Sequence, residues 1–132
     1  VVKRMGNIPI QRDNIRASLN SFKTARDQID NGVHITVLPE GNRSLDGKLL
    51  PFKKLPFQFA KESGASIVPI AISGVFAMKN KASLNLKSGS LIVRFGPVIS
   101  SEAMSQLEID DIMDMTRERI LSRLESFEAG TN

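Results

Sequence analysis

The chain has 132 residues, of which 41% are hydrophobic, and this length predicts a single domain over residues 1–132. It contains no cysteine and one histidine, which excludes disulfides, thiolate metal sites and histidine-rich metal sites. Its formal net charge of +4 favours an anionic partner, either a phosphorylated substrate, a lipid headgroup surface or a nucleic acid. The basic residues are spread along the chain, so a dedicated nucleic-acid-binding tract is not expected.

The first predicted element is an amphipathic helix that begins near residue 15. Asp13 or Asn14 can cap its start, and Asn31-Gly32 can end it because glycine adopts the left-handed conformation at low cost. Its apolar residues recur at helical spacing, which predicts one buried face. The residues of that face are Ile15, Leu19, Phe22, Ala25 or Arg26, and Ile29.

A β-branched run from Val33 to Leu38 predicts a buried strand after this helix. His34 alternates with apolar residues in the run, which favours a structural histidine with satisfied hydrogen bonds over a catalytic one. The run breaks at Pro39 into a polar loop that continues to Pro51. Ligands of open α/β sheets collect just outside the carboxyl ends of the strands, so this loop is the predicted site.

Two longer helices are predicted downstream. One covers Phe52 to Ser63, with Pro56 tolerated in its first turn and Gly64 at its end. The other covers Ile109 to Phe127, and a short helix capped by a serine at position 100 or 101 precedes it. The residues that predict the apolar face of the first of these helices are Phe52, Leu55, Phe59 and Ala60.

Further strands complete an α/β pattern. Residues 67–72 predict a buried strand in which Pro69, lacking an N–H, marks an edge, a bulge or the end of pairing. Residues 82–86 and 91–95 predict a hairpin around a turn at 87–90. The predicted fold class is therefore α/β, with a mixed sheet flanked by helices.

The polar loop carries a carboxylate, a glycine, an amide, a guanidinium and a hydroxyl in succession from Glu40 to Ser44. The forked donors of Arg43 can hold a phosphate bidentately, and Gly41 permits a close approach of the backbone. The alternative interpretation is a solvated turn with a local ion pair worth roughly 0–1 kcal/mol. A nucleotide-binding P-loop does not fit, because Leu49 stands where that motif has Ser or Thr.

The sequence LPEGNRS at 38–44, followed by PFKK at 51–54, closely resembles the phosphate-binding block of the glycerolipid acyltransferases. In these lysophosphatidic acid and glycerol-3-phosphate acyltransferases the block reads (F/L)PEG(T/N)RS with a downstream PFKKG. The sequence GNIPIQR at 6–12 is similar to the preceding block of the family, and IVPIA at 67–71 is similar to the following one. Leu55 departs from the pattern, since the family often has glycine there.

The resemblance implies a partial glycerol-3-phosphate acyltransferase-like domain whose loop binds the glycerol phosphate of the acceptor. Arg12, Glu40, Gly41 and Arg43 would bind or position this group, and Lys53 and Lys54 would add positive charge near the same site or the membrane. The full set of implied substrate-binding residues is Arg12, Glu40, Gly41, Asn42, Arg43, Ser44 and Lys53.

The family's general base is the histidine of a His-x-x-x-x-Asp motif, which the resemblance implies upstream of all three blocks. The chain's histidine, His34, has Pro39 rather than aspartate at the fifth following position. We therefore expect no catalytic residue in this chain, which would be the C-terminal part of the domain and inactive alone. The implied reaction is acyl transfer from acyl-CoA or acyl carrier protein to a hydroxyl of lysophosphatidic acid or glycerol phosphate, in phospholipid biosynthesis. No metal and no tightly bound cofactor are implied.

Two other functions remain open. The chain could be a non-catalytic α/β module that binds a phosphorylated ligand or a lipid headgroup, and the sequence upstream would distinguish it from the enzyme. It could also self-associate through an exposed sheet edge, because such edges pair readily. For the enzyme, the resemblance and the basic charge imply a cytoplasmic protein lying at the inner face of the membrane, where each Lys or Arg adds about 1 kcal/mol. No apolar run approaches the roughly 20 residues that cross a bilayer.

Overall fold

The structure is a computed structural model that describes residues 15–42, 44–78 and 88–128, with side chains described from residue 21 to residue 124. The chain forms two compact units, one ending at Val37 and the other beginning at Leu38. The single domain predicted over residues 1–132 stays a prediction.

The first unit contains helix α1, Ile15–Asp30, as its periodicity predicts. Ala25 is buried, whereas Lys23 and Asp27 are exposed. The helix ends at Gly32, which has φ of +78° and donates its N–H to the Ile29 carbonyl at 2.9 Å. Asn31-Gly32 thus ends the helix as predicted. The predicted caps at residues 13 and 14 and the extended piece before them lie outside the described residues.

The predicted buried strand from Val33 to Leu38 is wrong for the described structure. No strand forms there, and Val33, Val37 and Leu38 are 46%, 44% and 77% exposed. A β-branched run favours an extended backbone, but a strand also needs a neighbour to pair with its N–H and C=O groups. Within the described residues the strands pair only with each other. His34 is exposed, so it is not the buried structural histidine that the alternation predicts.

The second unit is built around three helices, α2 at Lys54–Ser63, α4 at Ser101–Ser105 and α5 at Ile109–Glu128. Each boundary has a local cause. Gly64 ends α2 with φ of +67°, and the Ser100 hydroxyl accepts from the Ala103 N–H at 3.2 Å at the start of α4. The buried residues of the core cluster are Phe52, Phe57, Ala71, Ile99, Met104, Ile112 and Ile120.

The apolar face of α2 differs from the predicted one. Phe57 is 4% exposed and Leu55 is 41% exposed, the reverse of the prediction. The cause is the chain before the helix: Phe52 precedes the first helical residue, Lys54, and its ring stacks on that of Phe57 at 5.8 Å. Phe57 thus belongs to the core together with Phe52, and Leu55 lies on the exposed side of the helix.

Strands β1, Ile70–Ser73, and β2, Ile92–Phe95, form one antiparallel pair, in which Ile70 lies opposite Phe95. A separate bridge joins Ile67 to Ile99. Two residues separate Ile67 from Ile70, whereas three separate Phe95 from Ile99. The second segment therefore has one extra residue, which forms a bulge. The predicted interruption at Pro69 is confirmed.

The two faces of this sheet differ. Ala71 faces the core, whereas Ile72, Val93 and Phe95 on the opposite face are about half exposed or more. The helix α3, Val75–Met78, follows β1 as a single turn. The predicted strand at 82–86 lies outside the described residues, so the predicted hairpin is not tested. The predicted α/β class is confirmed, and the described strands form an antiparallel pair.

Candidate functional site

The loop predicted from Pro39 to Pro51 lies within a segment, residues 38–53, that is closed at its base. The Lys53 N–H donates to the Pro39 carbonyl at 2.9 Å, which brings the two ends of the segment together. Compact loops with adjacent ends are frequently functional. We call this segment, residues 38–53, the 38–53 loop.

The Glu40 side chain accepts a hydrogen bond from across the 38–53 loop. A tight turn, in which the Gly41 N–H donates to the Leu38 carbonyl at 3.1 Å, aims this side chain across the loop. Gly41 has φ of +70°, a conformation that other residues adopt only at a cost. The Glu40 carboxylate then accepts from the Leu50 N–H, with Oε2 and N 2.6 Å apart. A carboxylate acceptor makes this hydrogen bond stronger than a neutral one.

Arg117 of α5, which lies outside the loop, donates hydrogen bonds to the loop backbone at Leu49 and Leu50. Its Nη1 donates to the Leu50 carbonyl at 2.8 Å and its Nη2 to the Leu49 carbonyl at 2.9 Å. Its guanidinium carbon lies 5.6 Å from the centroid of the Phe52 ring, within the range of a cation–π interaction. The planar guanidinium thus anchors two peptide groups and one aromatic ring at once.

The outer part of the loop has its own contacts. The Asp46 carboxylate accepts from the Lys48 N–H at 3.1 Å, a local turn of the kind that aspartate forms. Gly47 has φ of +80° and lies against the Phe76 ring of α3, where a Cβ would come within 3.1 Å of the ring. Contacts from three sides therefore hold the described residues of the 38–53 loop.

The two adjacent lysines at the end of the loop have different surroundings. Lys54 forms an exposed ion pair with Asp110, with Nζ and Oδ1 2.7 Å apart. Lys53 is exposed, and no carboxylate oxygen of a described residue lies within 4.0 Å of its ammonium group. Lys53 therefore presents the unneutralised charge of this pair.

Five of the predicted substrate-binding residues lie in the 38–53 loop as described. Glu40 and Ser44 are half-buried, and Asn42 is exposed. Arg12 and Arg43 lie outside the described residues, so the cationic recess that they are predicted to share stays a prediction. The residues that the structure brings together are Glu40, Gly41, Asn42, Ser44 and Lys53.

Arg117 is the loop contact that sequence reasoning missed. It stands beside Thr116 and between Met113 and Ile120, on the border of the apolar stripe of α5. An arginine at such a border has its stem against apolar neighbours and its head free to reach a polar group. That position is the signal that could have identified it.

Within residues 15–42, 44–78 and 88–128, no group of three or more His, Cys, Asp or Glu side chains is arranged to hold a metal ion. In the same part of the chain, no helix combines the length and the apolar character needed to span a bilayer.

Comparison with known proteins assigns the family. The family model described as Acyltransferase matches residues 1–73, more than half of the chain, and this match includes the whole 38–53 loop. The chain belongs to the acyltransferase family. The resemblance to the glycerolipid acyltransferases that LPEGNRS indicates is confirmed.

Curated relatives of this acyltransferase chain are named 1-acyl-sn-glycerol-3-phosphate acyltransferase. The one from Limnanthes douglasii is 33% identical over 110 residues, which are 83% of this chain and 39% of the relative. The human alpha form is 29% identical over 100 residues, 76% of this chain and 35% of the relative. The chain thus spans less than half of the length of these relatives.

A solved structure shares the fold. It is the crystal structure of the 1-acyl-sn-glycerophosphate acyltransferase PlsC from Thermotoga maritima, and it matches with a TM-score of 0.77 at 24% identity. The match covers 87% of this chain and 47% of that protein. At this identity the likeness establishes the fold of the acyltransferase chain, and it agrees with the predicted α/β class.

Proposed function

We propose that this acyltransferase chain supplies the phosphate-binding part of an enzyme that acylates a 1-acylglycerol 3-phosphate. The acceptor hydroxyl attacks the carbonyl carbon of an acyl thioester, from either acyl-CoA or acyl carrier protein. An ester C–O bond forms, the thioester C–S bond breaks, the hydroxyl proton passes to a base, and the thiol is released. The 38–53 loop binds the phosphate of the acceptor and so positions the hydroxyl for attack.

The observation that carries this proposal is the construction of the loop. Glu40 and Arg117 hold its backbone at Leu50 from two sides, and Gly41 and Asn42 follow Glu40 directly. Preorganised groups bind an anion without the cost of ordering a mobile loop. The curated relatives carry names that specify a phosphorylated glycerolipid acceptor, which agrees with a phosphate at this loop.

The proposed roles divide between binding and charge. Arg12 and Arg43 hold the phosphate oxygens, with Asn42 and Ser44 as neutral hydrogen-bonding groups beside them. Lys53 raises the local positive potential from its exposed position. Glu40 contributes through the loop backbone, because one of its oxygens is already engaged by the Leu50 N–H.

The base is proposed to come from outside these 132 residues. His34 is exposed and lacks an aspartate five positions on, so it does not match the His-x-x-x-x-Asp pair that the reaction requires. The chain by itself therefore binds the acceptor without turning it over. No metal or tightly bound cofactor has a role in this scheme.

The experiment that tests the binding role is a titration of the ¹⁵N-labelled chain with sn-glycerol 3-phosphate, followed by NMR. We expect saturable shift changes concentrated in the 38–53 loop. Glycerol without the phosphate is the matched control and should produce none of them. The absence of saturation, or equal changes with glycerol, would refute phosphate binding at this loop.

A second candidate is a phosphate- or headgroup-binding module without catalysis. The observation in its favour is that the chain contains no His-x-x-x-x-Asp pair. Both candidates bind phosphate, so binding does not separate them. The coding sequence immediately upstream does: a His-x-x-x-x-Asp block in the same reading frame supports the enzyme, and a stop codon or an unrelated domain supports the module.

A further inference from the structure

Leu50 connects two side chains that are distant from each other in sequence. Its N–H donates to the Glu40 carboxylate, and its carbonyl accepts from the Arg117 guanidinium at 2.8 Å. Glu40 precedes Gly41 directly, so the hydrogen bond from Leu50 to the Glu40 side chain links the 49–50 backbone to the start of the loop. A displacement at Leu50 is therefore passed toward Gly41 through this hydrogen bond and the Glu40 side chain.

The charge of Arg117, like that of Lys53, has no carboxylate partner among the described residues. Both of its terminal nitrogens donate to carbonyl oxygens, and no carboxylate oxygen of a described residue lies within 4.0 Å. Lys54, by contrast, is paired with Asp110. Arg117 therefore places a positive charge, without a carboxylate within 4.0 Å among the described residues, at the base of the 38–53 loop, where it favours an anionic ligand.

We infer that Arg117 is a positioning residue for phosphate binding, which sets the conformation of the 38–53 loop through the carbonyls of Leu49 and Leu50. Arg117 lies in α5, beyond residues 1–73 that match the family model. The inference rests on the proposed function for its ligand. Its structural part, the hold on the loop, is independent of that function.

Two substitutions separate the shape of the guanidinium from its charge. Arg117→Lys keeps the charge but replaces the planar fork by one ammonium group, which cannot reproduce the paired hydrogen bonds to two successive carbonyls. Arg117→Met keeps an aliphatic stem over Phe52 and removes both the fork and the charge. If the shape of the guanidinium dominates, Arg117→Lys and Arg117→Met raise the Kd equally. Any larger rise in the Kd of Arg117→Met measures the contribution of the charge.

Arg119 offers a matched control on the same helix. Its Nη1 donates to two successive carbonyls, Pro97 at 2.9 Å and Val98 at 3.0 Å, which lie in the connection after β2 rather than in the 38–53 loop. Arg119→Lys therefore changes an arginine contact to two successive carbonyls in another part of the same unit, where a single nitrogen makes both hydrogen bonds. A loss of binding caused by general destabilisation would follow the thermal midpoints of the two lysine variants.

The experiment measures the Kd for sn-glycerol 3-phosphate by NMR titration, together with hydrogen exchange at the Leu50 N–H and the thermal midpoint of each variant. We expect Arg117→Lys to raise Kd about tenfold, equivalent to about 1.4 kcal/mol, and to accelerate exchange at Leu50. Arg119→Lys should keep Kd within about twofold of the unsubstituted chain, whatever its thermal midpoint.

An unchanged Kd in Arg117→Lys, or an equal rise in Arg119→Lys, would overturn the inference. If the unsubstituted chain binds no glycerol 3-phosphate, the proposed function fails, and exchange at Leu50 then decides the structural part alone. Faster exchange in Arg117→Lys but not in Arg119→Lys supports the hold on the loop. Equal exchange in both variants refutes it.

Discussion

Glu40 illustrates how a motif residue can act on the backbone of its own loop. The sequence places Glu40 in the predicted phosphate-binding loop, and the resemblance implies that it binds or positions the acceptor. In the structure its Oε2 lies 2.6 Å from the Leu50 nitrogen, so the carboxylate stabilises the loop. Direct contact between Glu40 and the acceptor stays a prediction.

Removal of the Glu40 carboxylate should destabilise the second unit. Glu40→Ala leaves the half-buried Leu50 N–H without this partner, and we expect a loss of about 1–2 kcal/mol in the free energy of unfolding. Glu40→Gln retains an acceptor oxygen and should lose less. Urea unfolding measures both, with Asp46→Ala as the control because Asp46 makes an exposed, local contact. Equal stability of Glu40→Ala and the unsubstituted chain would contradict the role.

Arg43 is the residue whose substitution tests the phosphate site most directly. Arg43→Lys keeps the charge but loses bidentate geometry, so we expect the Kd for sn-glycerol 3-phosphate to rise by about tenfold. Arg26→Lys is the control, since Arg26 lies in α1 and is exposed near Asp30 at 3.9 Å. NMR titration measures both variants. An Arg43→Lys chain that binds as tightly as the unsubstituted one would remove Arg43 from the site.

Sequence reasoning reaches some residues of the site and not others, for a physical reason. The Glu40 to Ser44 cluster is contiguous, so its composition and its resemblance identify it without a structure. The contact from Arg117 joins positions 67 residues apart, between Arg117 and Leu50. No local sequence pattern shows which carbonyl a distant guanidinium contacts, so the role of Arg117 could be identified only from the structure.

At the scale of elements, the helices follow from the sequence more closely than the strands. Helix ends depend on local chemistry, and Gly32, Gly64 and Ser100 stand where the caps are predicted. The strand predicted from Val33 to Leu38 fails because pairing depends on a neighbour far away in the chain. Pro69 is an intermediate case. Its missing N–H can be read from the sequence, but the strand that pairs beside it is distant in the chain.

Gly74, between β1 and α3, should be the least replaceable glycine of the second unit. It has φ of +95°, and a Cβ there would lie 2.1 Å from the Ser90 carbonyl oxygen, so the backbone must shift. We expect Gly74→Ala to cost at least about 2 kcal/mol more than Gly64→Ala in the free energy of unfolding. Gly64 has a similar φ of +67° with open space around it, which isolates the steric effect. Urea unfolding of the two variants measures the difference. Similar losses in the free energy of unfolding would contradict this prediction, because they would show that the backbone between β1 and α3 shifts at little cost.

At the scale of the whole molecule, the chain should bind without catalysing. We expect no release of CoA thiol when the chain is mixed with acyl-CoA and lysophosphatidic acid, because no base is positioned. A thiol-reactive dye measures the release. The control is His34→Ala, which should give the same background rate. Turnover that disappears in His34→Ala would make His34 the base and refute the proposed division of roles.

The net charge of +4 should produce a salt-dependent affinity for anionic membranes. We expect the chain to sediment with vesicles that contain phosphatidylserine at low salt and to dissociate at about 1 M salt, where screening shortens electrostatic reach to about 3 Å. Vesicles of phosphatidylcholine alone are the control. Equal sedimentation with both lipids would point instead to the exposed apolar face around Phe95.

The extra residue in the connection after β2 has a consequence for the pairing register of this segment. Without it, the ladder would continue in register and set Val98, which is 56% exposed, opposite Ile67. With it, Ile99 takes that place and is 1% exposed. The bulge thus selects which side chain enters the interior. A one-residue slip of the pairing that removed the bulge would exchange an interior isoleucine for a surface valine, with the amino-acid sequence unchanged.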